Sequence, residues 1–480
     1  MHTKSYKSVV LKKNQRQIFV IIPDGVSLRN FAYSSFYKQA KERGLHVVLW
    51  HHTPFDLDVL QLNNIVLEDP KSHQLTTILK NVRKRIEIAQ FAKRDNDAIY
   101  KSYLFPLNYK GIKNTLRSIL SKLLVFCFNS EKGLVFIKNA INHLEQKTTY
   151  FKKCLEVLGT EKPDFVFCTS QRSVLAIAPL LAAQQLEIPT MSFVFSWDNL
   201  PKATLDVTAD YYAVWSAFMK EELLTYYPSI TSNQVEITGT PQFETHYNPN
   251  HSVSKKDFFS LFNLDMEISY VCYSGDDYTT SPKDPLYLRD VAIAIRKLNS
   301  EGERLGLIFR RCPVDFSNRY DVILEAYKDV IVPIEPLWDK IGGAWDSILP
   351  QPEDMGLLRS IAAHTLAVIN LGSSMVFDFA IHQKPCLYMN YNYLNPQNNV
   401  DAGVYVYDYV HFRSKPNTDV VVWLNHPDDI AKAIQDIIVD SEVVVAHANQ
   451  WYHKINKQPA DMASSRILES IDRILKTYAN

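Results

Sequence analysis

The stretch AVINLGSSMVFDFAIHQKPCLYMN, residues Ala367–Asn390, decides the fold class of this chain. Its spacing predicts a buried strand over Ala367–Asn370, a tight turn over Leu371–Ser374 and a helix over Met375–His382. Lys384-Pro385 breaks that helix, and Cys386–Met389 is apolar enough to form a second buried strand. The result is a βαβ unit with a phosphate-sized loop in its first strand-to-helix turn. Gly372 lets the backbone come close to a ligand, and the Ser373 and Ser374 hydroxyls suit either a helix cap or a phosphate oxygen. The helix dipole favours an anion at the same place. Asp378 follows one turn later, where a carboxylate can meet ribose hydroxyls. Many helices that bind nothing start the same way, so both readings stand on these residues alone.

At 480 residues the chain is long for a single core, and two domains are expected. Hydrophobic content of 46% and charged content of 22% are ordinary globular values. Lys+Arg and Asp+Glu both number 52, so net charge supplies no bulk attraction to nucleic acid. The six cysteines show no CxxC or other metal-ligand spacing. Most lie in apolar runs, which predicts reduced, buried thiols and a cytoplasmic chain. The basic amino terminus leads only into the short run Ile18–Ile22 and then Pro23-Asp24, which reads as a first strand and not a signal peptide. No run approaches ~20 apolar residues, so no membrane-spanning helix is expected.

Outward from the opening stretch the same alternation recurs. The first 247 residues hold a strand at Ile18–Ile22, a loop, a helix at Phe31–Arg43 and a strand at His46–Trp50. The loop carries Asp24, Gly25, Arg29 and Asn30 at the carboxyl end of a parallel strand, the edge where open α/β sheets bind ligands. The plainer alternative is a turn at Asp24-Gly25 with Asn30 as an N-cap. Residues 54–100 read as helical and charged without a site signature. Pro163–Ser170 and Thr190–Phe195 are further strands, and Trp197, Asp198 and Asn199 are expected exposed in the crevice after the second. Val235–Glu244 ends in a Gly-Thr-Pro turn, and the polar run Asn248–Asp257 reads as a linker.

A second α/β series occupies residues 258–440. Tyr270–Tyr273 is a strand with Ser274, Gly275, Asp276 and Asp277 in its loop. Leu286–Asn299 is a helix, and Leu305–Phe309 is a strand ending in Arg310 and Arg311, two cations suited to phosphate. A Gly-Gly turn is expected at 342–343 and a helix at Met355–Ala363. Helices Asp428–Val439 and Ser441–Tyr478 close the chain, residues 441–480 standing as a terminal helical element.

Between Lys101 and Lys153 ten Lys and Arg residues face two acids, Glu131 and Glu145. Apolar residues such as Leu116, Leu120, Leu123 and Phe126 are interleaved. This basic helical insertion fits either two amphipathic helices packed on the sheet or a peripheral contact with the inner face of an anionic membrane. Nucleic acid is a poorer fit, because no recognised module accompanies the charge.

Several chemistries lack their local signatures. There is no G-x-S-x-G elbow, no G-x-x-x-x-G-K-[ST] loop and no G-x-G-x-x-G after a strand. The histidines are scattered; His51-His52 has no partner at metal spacing, so no metal is expected. Tandem α/β domains with polar strand-end loops point to group transfer from an anionic nucleotide donor.

The residues Ser373–Tyr391 resemble the donor-site segment of bacterial two-domain glycosyltransferases of the GT-B fold. They match more closely the S-S-x-x-F-D-F-A-x-x-x-K-P segment of CDP-glycerol glycerophosphotransferases. The turn Gly239–Glu244 is similar to the Gly-x-Pro turn ending the first domain in that superfamily. The SWDNL loop and IIPDGVSLRNF resemble surface-polysaccharide transferases of capsule and lipopolysaccharide synthesis. The resemblance implies two Rossmann-like domains facing a cleft, with C-terminal helices packing back toward the N-terminal domain. It puts a nucleotide-sugar donor, with no further cofactor, on Gly372, Ser373, Ser374, Asp378, Arg310, Arg311, Gly275 and Asp276. A glycan or lipid-linked acceptor would meet Arg29, Asn30, Trp197 and Asn199. Glycerophosphotransferases carry a His-Gly pair where this chain has Trp197-Asp198-Asn199, which shifts the weight toward sugar transfer. Such an enzyme needs a base for the acceptor hydroxyl, for which Asp24 is the first candidate and Asp198 the second. Polyol-phosphate transfer, sugar-nucleotide 2-epimerisation and a non-catalytic assembly role are the rival readings.

Overall fold

The computed structural model of the chain describes residues 15–54, 56–341, 348–393 and 400–478. Seven strands belong to the first half: β1 (Gln17–Ile22), β2 (His46–His51), β3 (Asn64–Val66), β4 (Phe165–Cys168), β5 (Thr190–Phe193), β6 (Tyr211–Val214) and β7 (Val235–Ile237). They form one sheet in the order β3-β2-β1-β4-β5-β6-β7, and every pairing in it is parallel. The second half contributes β8 (Ser269–Ser274), β9 (Leu305–Arg310), β10 (Ile331–Pro333), the hairpin β11 (Trp338–Lys340) and β12 (Ile348–Pro350), and then β13 (Val368–Asn370) and β14 (Cys386–Met389). A second hairpin, β15 (Tyr391–Tyr393) with β16 (Val400–Ala402), precedes β17 (Val422–Leu424). The second sheet runs β10-β9-β8-β13-β14-β17, again all parallel.

The two sheets are two Rossmann-like domains, as the alternation of apolar strands and helices implies. Parallel sheets covered by helices on both faces need strands without a polar side, and Gln17–Ile22 and Leu305–Arg310 are buried along their whole length. In each sheet the order in which strands are added reverses beside its first strand (β1 next to β4, β8 next to β13), so a crevice opens at the carboxyl ends there.

The C-terminal helices pack back on the first domain. The expected single helix over Ser441–Tyr478 is two, Glu442–Ile455 and Ala463–Tyr478, because Pro459 cannot continue a helical hydrogen-bond ladder. Between them Asn456 accepts a hydrogen bond from the Thr240 amide at 3.0 Å. Arg43 reaches across to Ser465 at 2.7 Å and Glu469 at 3.2 Å. Trp451 joins Trp197 and Phe377 in one aromatic cluster that spans both domains.

Other boundaries differ from expectation. The helix expected over Phe31–Arg43 is two helices, Gly25–Ala32 and Phe36–Glu42. The first starts early because the Asp24 carboxylate caps it, accepting from the Ser27 amide at 2.8 Å. The stretch 54–100 contains the edge strand β3 beside the long helix Thr76–Arg94. The polar run Asn248–Asp257 is pinned to the second domain, with His364 Nε2 2.8 Å from the Val253 carbonyl. The Gly-Gly turn at 342–343 lies outside the described residues.

Candidate functional site

A cleft of about 840 Å³ lies between the facing carboxyl edges of the two sheets. Its first-domain wall comes from the loops after β4 and β5, which bring Arg172, Phe195, Ser196 and Asp198, and from Lys84 on the helix Thr76–Arg94. Its second-domain wall comes from the segment Thr279–Lys283 after β8, from Leu371 after β13, and from Tyr393 and Tyr405. Among the described residues, four cations (Lys84, Arg172, Lys202 and Lys283) line it against a single carboxylate, Asp198. Tyr103, Phe105, Phe195, Tyr287 and Tyr409 add aromatic surface. The size matches a pocket that encloses a small organic ligand.

Buried hydrogen bonds hold the first-domain wall rigid. Gln171 donates to Asn199 Oδ1 at 2.9 Å and accepts from the Phe195 amide at 2.7 Å, tying the loop after β4 to the loop after β5. The Arg172 guanidinium lies 4.2 Å from the Phe195 ring centroid, a cation–π stack that fixes its plane. Asp198 is ion-paired with Lys202, four residues on in the same turn-rich loop, and accepts from Asn199 Nδ2 at 2.8 Å. Burial pushes the Asp198 carboxyl up, but Lys202, by its charge and its hydrogen bond, outweighs it and holds the group ionised, below the usual range.

Trp197 does not share the exposure expected of it. Its ring is 6% exposed and packs edge-on against Phe377, His411, Phe412 and Trp451, because a large apolar ring at a domain junction gains more from burial than from the cleft. Asn199 is also buried, although it borders the cleft.

A second polar group sits at the domain junction. Gly25 packs against β12 so closely that a Cβ there would meet the Ile348 carbonyl oxygen at 2.2 Å, and Tyr33 donates to the Pro350 carbonyl at 3.0 Å. The loop after β1 is therefore covered by the second domain rather than open. Arg29 donates to Asn30 at 3.0 Å and lies within electrostatic reach of Asp378, Asp354, Arg310 and Asp24. Burial raises the Asp24 carboxyl, opposed first by the Ser27 amide hydrogen bond and then by the Arg172 charge from the cleft side. Arg310 is buried against Asp354, and Arg311 pairs with Glu335 at 2.6 Å. Asp378 meets His246 Nε2 at 2.8 Å, and His246 Nδ1 lies 3.0 Å from His382. Residues expected on opposite substrates thus form one charged cluster across the junction.

The Gly372 turn takes φ +71°, a left-handed conformation open to glycine, and a Cβ added there would come within 3.3 Å of the Phe412 and Tyr407 rings. The Ser373 amide donates to Asn370 at 2.9 Å, and the Ser373 hydroxyl accepts from the Met375 amide at 3.3 Å, while Ser374 occupies the N-cap position. Gly275 is packed under Tyr320 and Asp284. Beside it, burial and the neighbouring Asp284 and Asp277 push the Asp276 carboxyl up to about 8. Among the described residues no group of three or more His, Cys, Asp and Glu could hold a metal ion, and no helix is long and apolar enough to cross a membrane.

Sequence reasoning missed Lys84, Arg172, Lys202 and Lys283. Lys202 carried one signal, the i,i+4 spacing from Asp198; Lys84, on a charged helix, carried none.

The fold is that of the GT-B class. No model of a known protein family matches the chain, and no curated protein matches it. Solved structures do. UDP-GlcNAc 2-epimerase from Neisseria meningitidis bound to UDP-GlcNAc is similar over 95% of this chain and 100% of its own, with 12% identity and a TM-score of 0.53. A glycosyltransferase from Rickettsia africae is similar over 96% and 99%, with 12% identity and a TM-score of 0.51. The calicheamicin glycosyltransferase CalG4 is similar over 97% and 100%, with 12% identity and a TM-score of 0.50.

Proposed function

We propose that the cleft binds a nucleotide sugar and that the chain transfers its sugar to a glycan or lipid-linked acceptor in the assembly of a cell-surface polysaccharide such as lipopolysaccharide or capsule. The observation that carries this reading is the charge of the cleft: among its described lining residues, Lys84, Arg172, Lys202 and Lys283 stand against Asp198. A diphosphate supplies the missing negative charge, and aromatic walls offer stacking surface to a base.

In the transfer, the acceptor oxygen forms a bond to the anomeric carbon as the bond from that carbon to the diphosphate oxygen breaks. The acceptor proton passes to a carboxylate, and the nucleoside diphosphate leaves held by the cations. Asp198 is the carboxylate on the cleft wall. Its pairing with Lys202 makes it a weak base; a diphosphate that draws Lys202 away makes it a stronger one. Asp24 acts from beneath, steadying Arg172 electrostatically. The Gly372–Ser374 turn, Asp378, Arg310, Arg311, Gly275 and Asp276 remain the proposed donor-side elements of the second domain.

A second reading, 2-epimerisation of a UDP-sugar, is supported by the full-length likeness to UDP-GlcNAc 2-epimerase. A thermal-shift panel of UDP, GDP, CMP and CDP-glycerol tests the binding step. Stabilisation by a nucleoside diphosphate or CMP supports a nucleotide-sugar enzyme, CDP-glycerol alone indicates a polyol-phosphate transferase, and no response overturns both. Free nucleotide released only when an acceptor is added marks transfer; C2 inversion without acceptor marks epimerisation.

A further inference from the structure

The helix Ile112–Phe128 carries a second apolar face besides the residues that pack on the first domain. Its buried positions are Ser118 and Ser121, whose hydroxyls bond to the Asn108 and Arg117 carbonyls at 2.7 and 2.8 Å. Leu124, Val125 and Phe128 pack on the first-domain core, but six apolar residues face outward: Ile112 is 82% exposed, Leu123 56% and Phe126 85%, with Leu116, Ile119 and Leu120 beside them. On a 3.6-residue turn these six fall within one continuous arc. Lys113 and Arg117 border that arc on one side and Lys122 on the other, all exposed. No acidic residue occurs between Lys101 and Ser130.

We infer that this face docks on an anionic lipid bilayer, lying in the plane of its surface. An apolar stripe with a cationic rim on both edges is the pattern that buries side chains below the headgroups while lysines meet lipid phosphates. A second copy of this chain is a poorer occupant: a twofold pairing of this face sets the same cations against each other with no carboxylate between them. The 17 residues of the helix span about 25 Å, enough to hold several lipids' width of surface. The chain leading into the helix carries Phe105, 80% exposed and also on the cleft wall, so docking would bring the cleft mouth to the lipid surface. This inference holds whichever nucleotide reaction the cleft performs.

Flotation of the purified full-length chain tests it, using phosphatidylcholine vesicles with and without about 30 mol% phosphatidylglycerol. The expected result is at least tenfold more protein floating on the anionic vesicles, lost in high salt, where the attraction is screened. Both L116S/L123S/F126S and K113E/R117E/K122E should lose at least tenfold of that binding with unchanged thermal midpoints, since all six positions are solvent-facing. Equal flotation on neutral and anionic vesicles, binding that survives K113E/R117E/K122E, or a dimer that F126S dissolves in a chain that does not float would each overturn it.

Discussion

Arg310, at the carboxyl end of β9, donates from one guanidinium nitrogen to both carboxylate oxygens of Asp354, at 2.8 and 2.9 Å. Asp354 also accepts from the Leu337 amide at 2.9 Å and from Trp338 Nε1 at 2.8 Å. Both side chains are buried, so this pair ties the second sheet to the hairpin on which the first domain rests.

Removing one partner of a buried pair strands the other charge. Arg310→Ala is therefore expected to destabilise the chain by about 3–5 kcal/mol. Urea unfolding measures this. Burial raises the Asp354 carboxyl, but Arg310 outweighs it and leaves the group below the usual range. The stability it contributes is present above about pH 4 and is lost as pH falls through its folded value. A wild-type midpoint in Arg310→Ala would mean that the pair stabilises nothing.

Gly25 is expected to tolerate no side chain. A methyl group at 2.2 Å from the Ile348 carbonyl forces the helix Gly25–Ala32 away from β12. Gly25→Ala should cost about 1–3 kcal/mol, the scale of overpacking. Limited proteolysis should also show faster cleavage between the domains. Unchanged unfolding and proteolysis would place the two domains further apart than described.

His411 makes stability depend on pH. Burial pushes its imidazole down to about 3, although Asp198 pulls the other way. The folded chain then keeps His411 neutral at pH 5 while the unfolded chain, near 6.5, protonates it. Its contribution is fully present above about pH 6.5 and declines as pH falls, by on the order of 2 kcal/mol at pH 5. His382, also pushed down to about 3 by burial, adds to the same slope. Denaturation at pH 7.5 and 5 should show the loss, and His411→Gln should flatten part of it. An identical slope in His411→Gln would remove His411 from the cause.

Much of the architecture was legible because buried parallel strands are continuous apolar runs: Ile18–Ile22, Leu305–Phe309 and Cys386–Met389 sit where their composition puts them. Short elements were not. Asn64–Val66 is a three-residue edge strand without such a run, and the cap that starts the helix at Gly25 lies within a glycine turn that reads equally as loop. The site was legible only in outline. Asp198 and Asn199 could be placed at a strand end, but Lys84 reaches the cleft through the packing of a distant helix, which no local pattern encodes. Trp197 went unread as core for the same reason: its partners Phe377, Phe412 and Trp451 lie far along the chain.

The claim that the cleft is a nucleotide-diphosphate site is tested most directly by calorimetric titration of the wild type, Lys202→Gln and Arg172→Gln with the nucleoside diphosphate that stabilises the chain. Each charge-assisted contact is worth about 1.5–3 kcal/mol, so each variant should bind at one site with affinity weakened roughly tenfold or more. Equal affinity in all three proteins would contradict the account and move the nucleotide elsewhere.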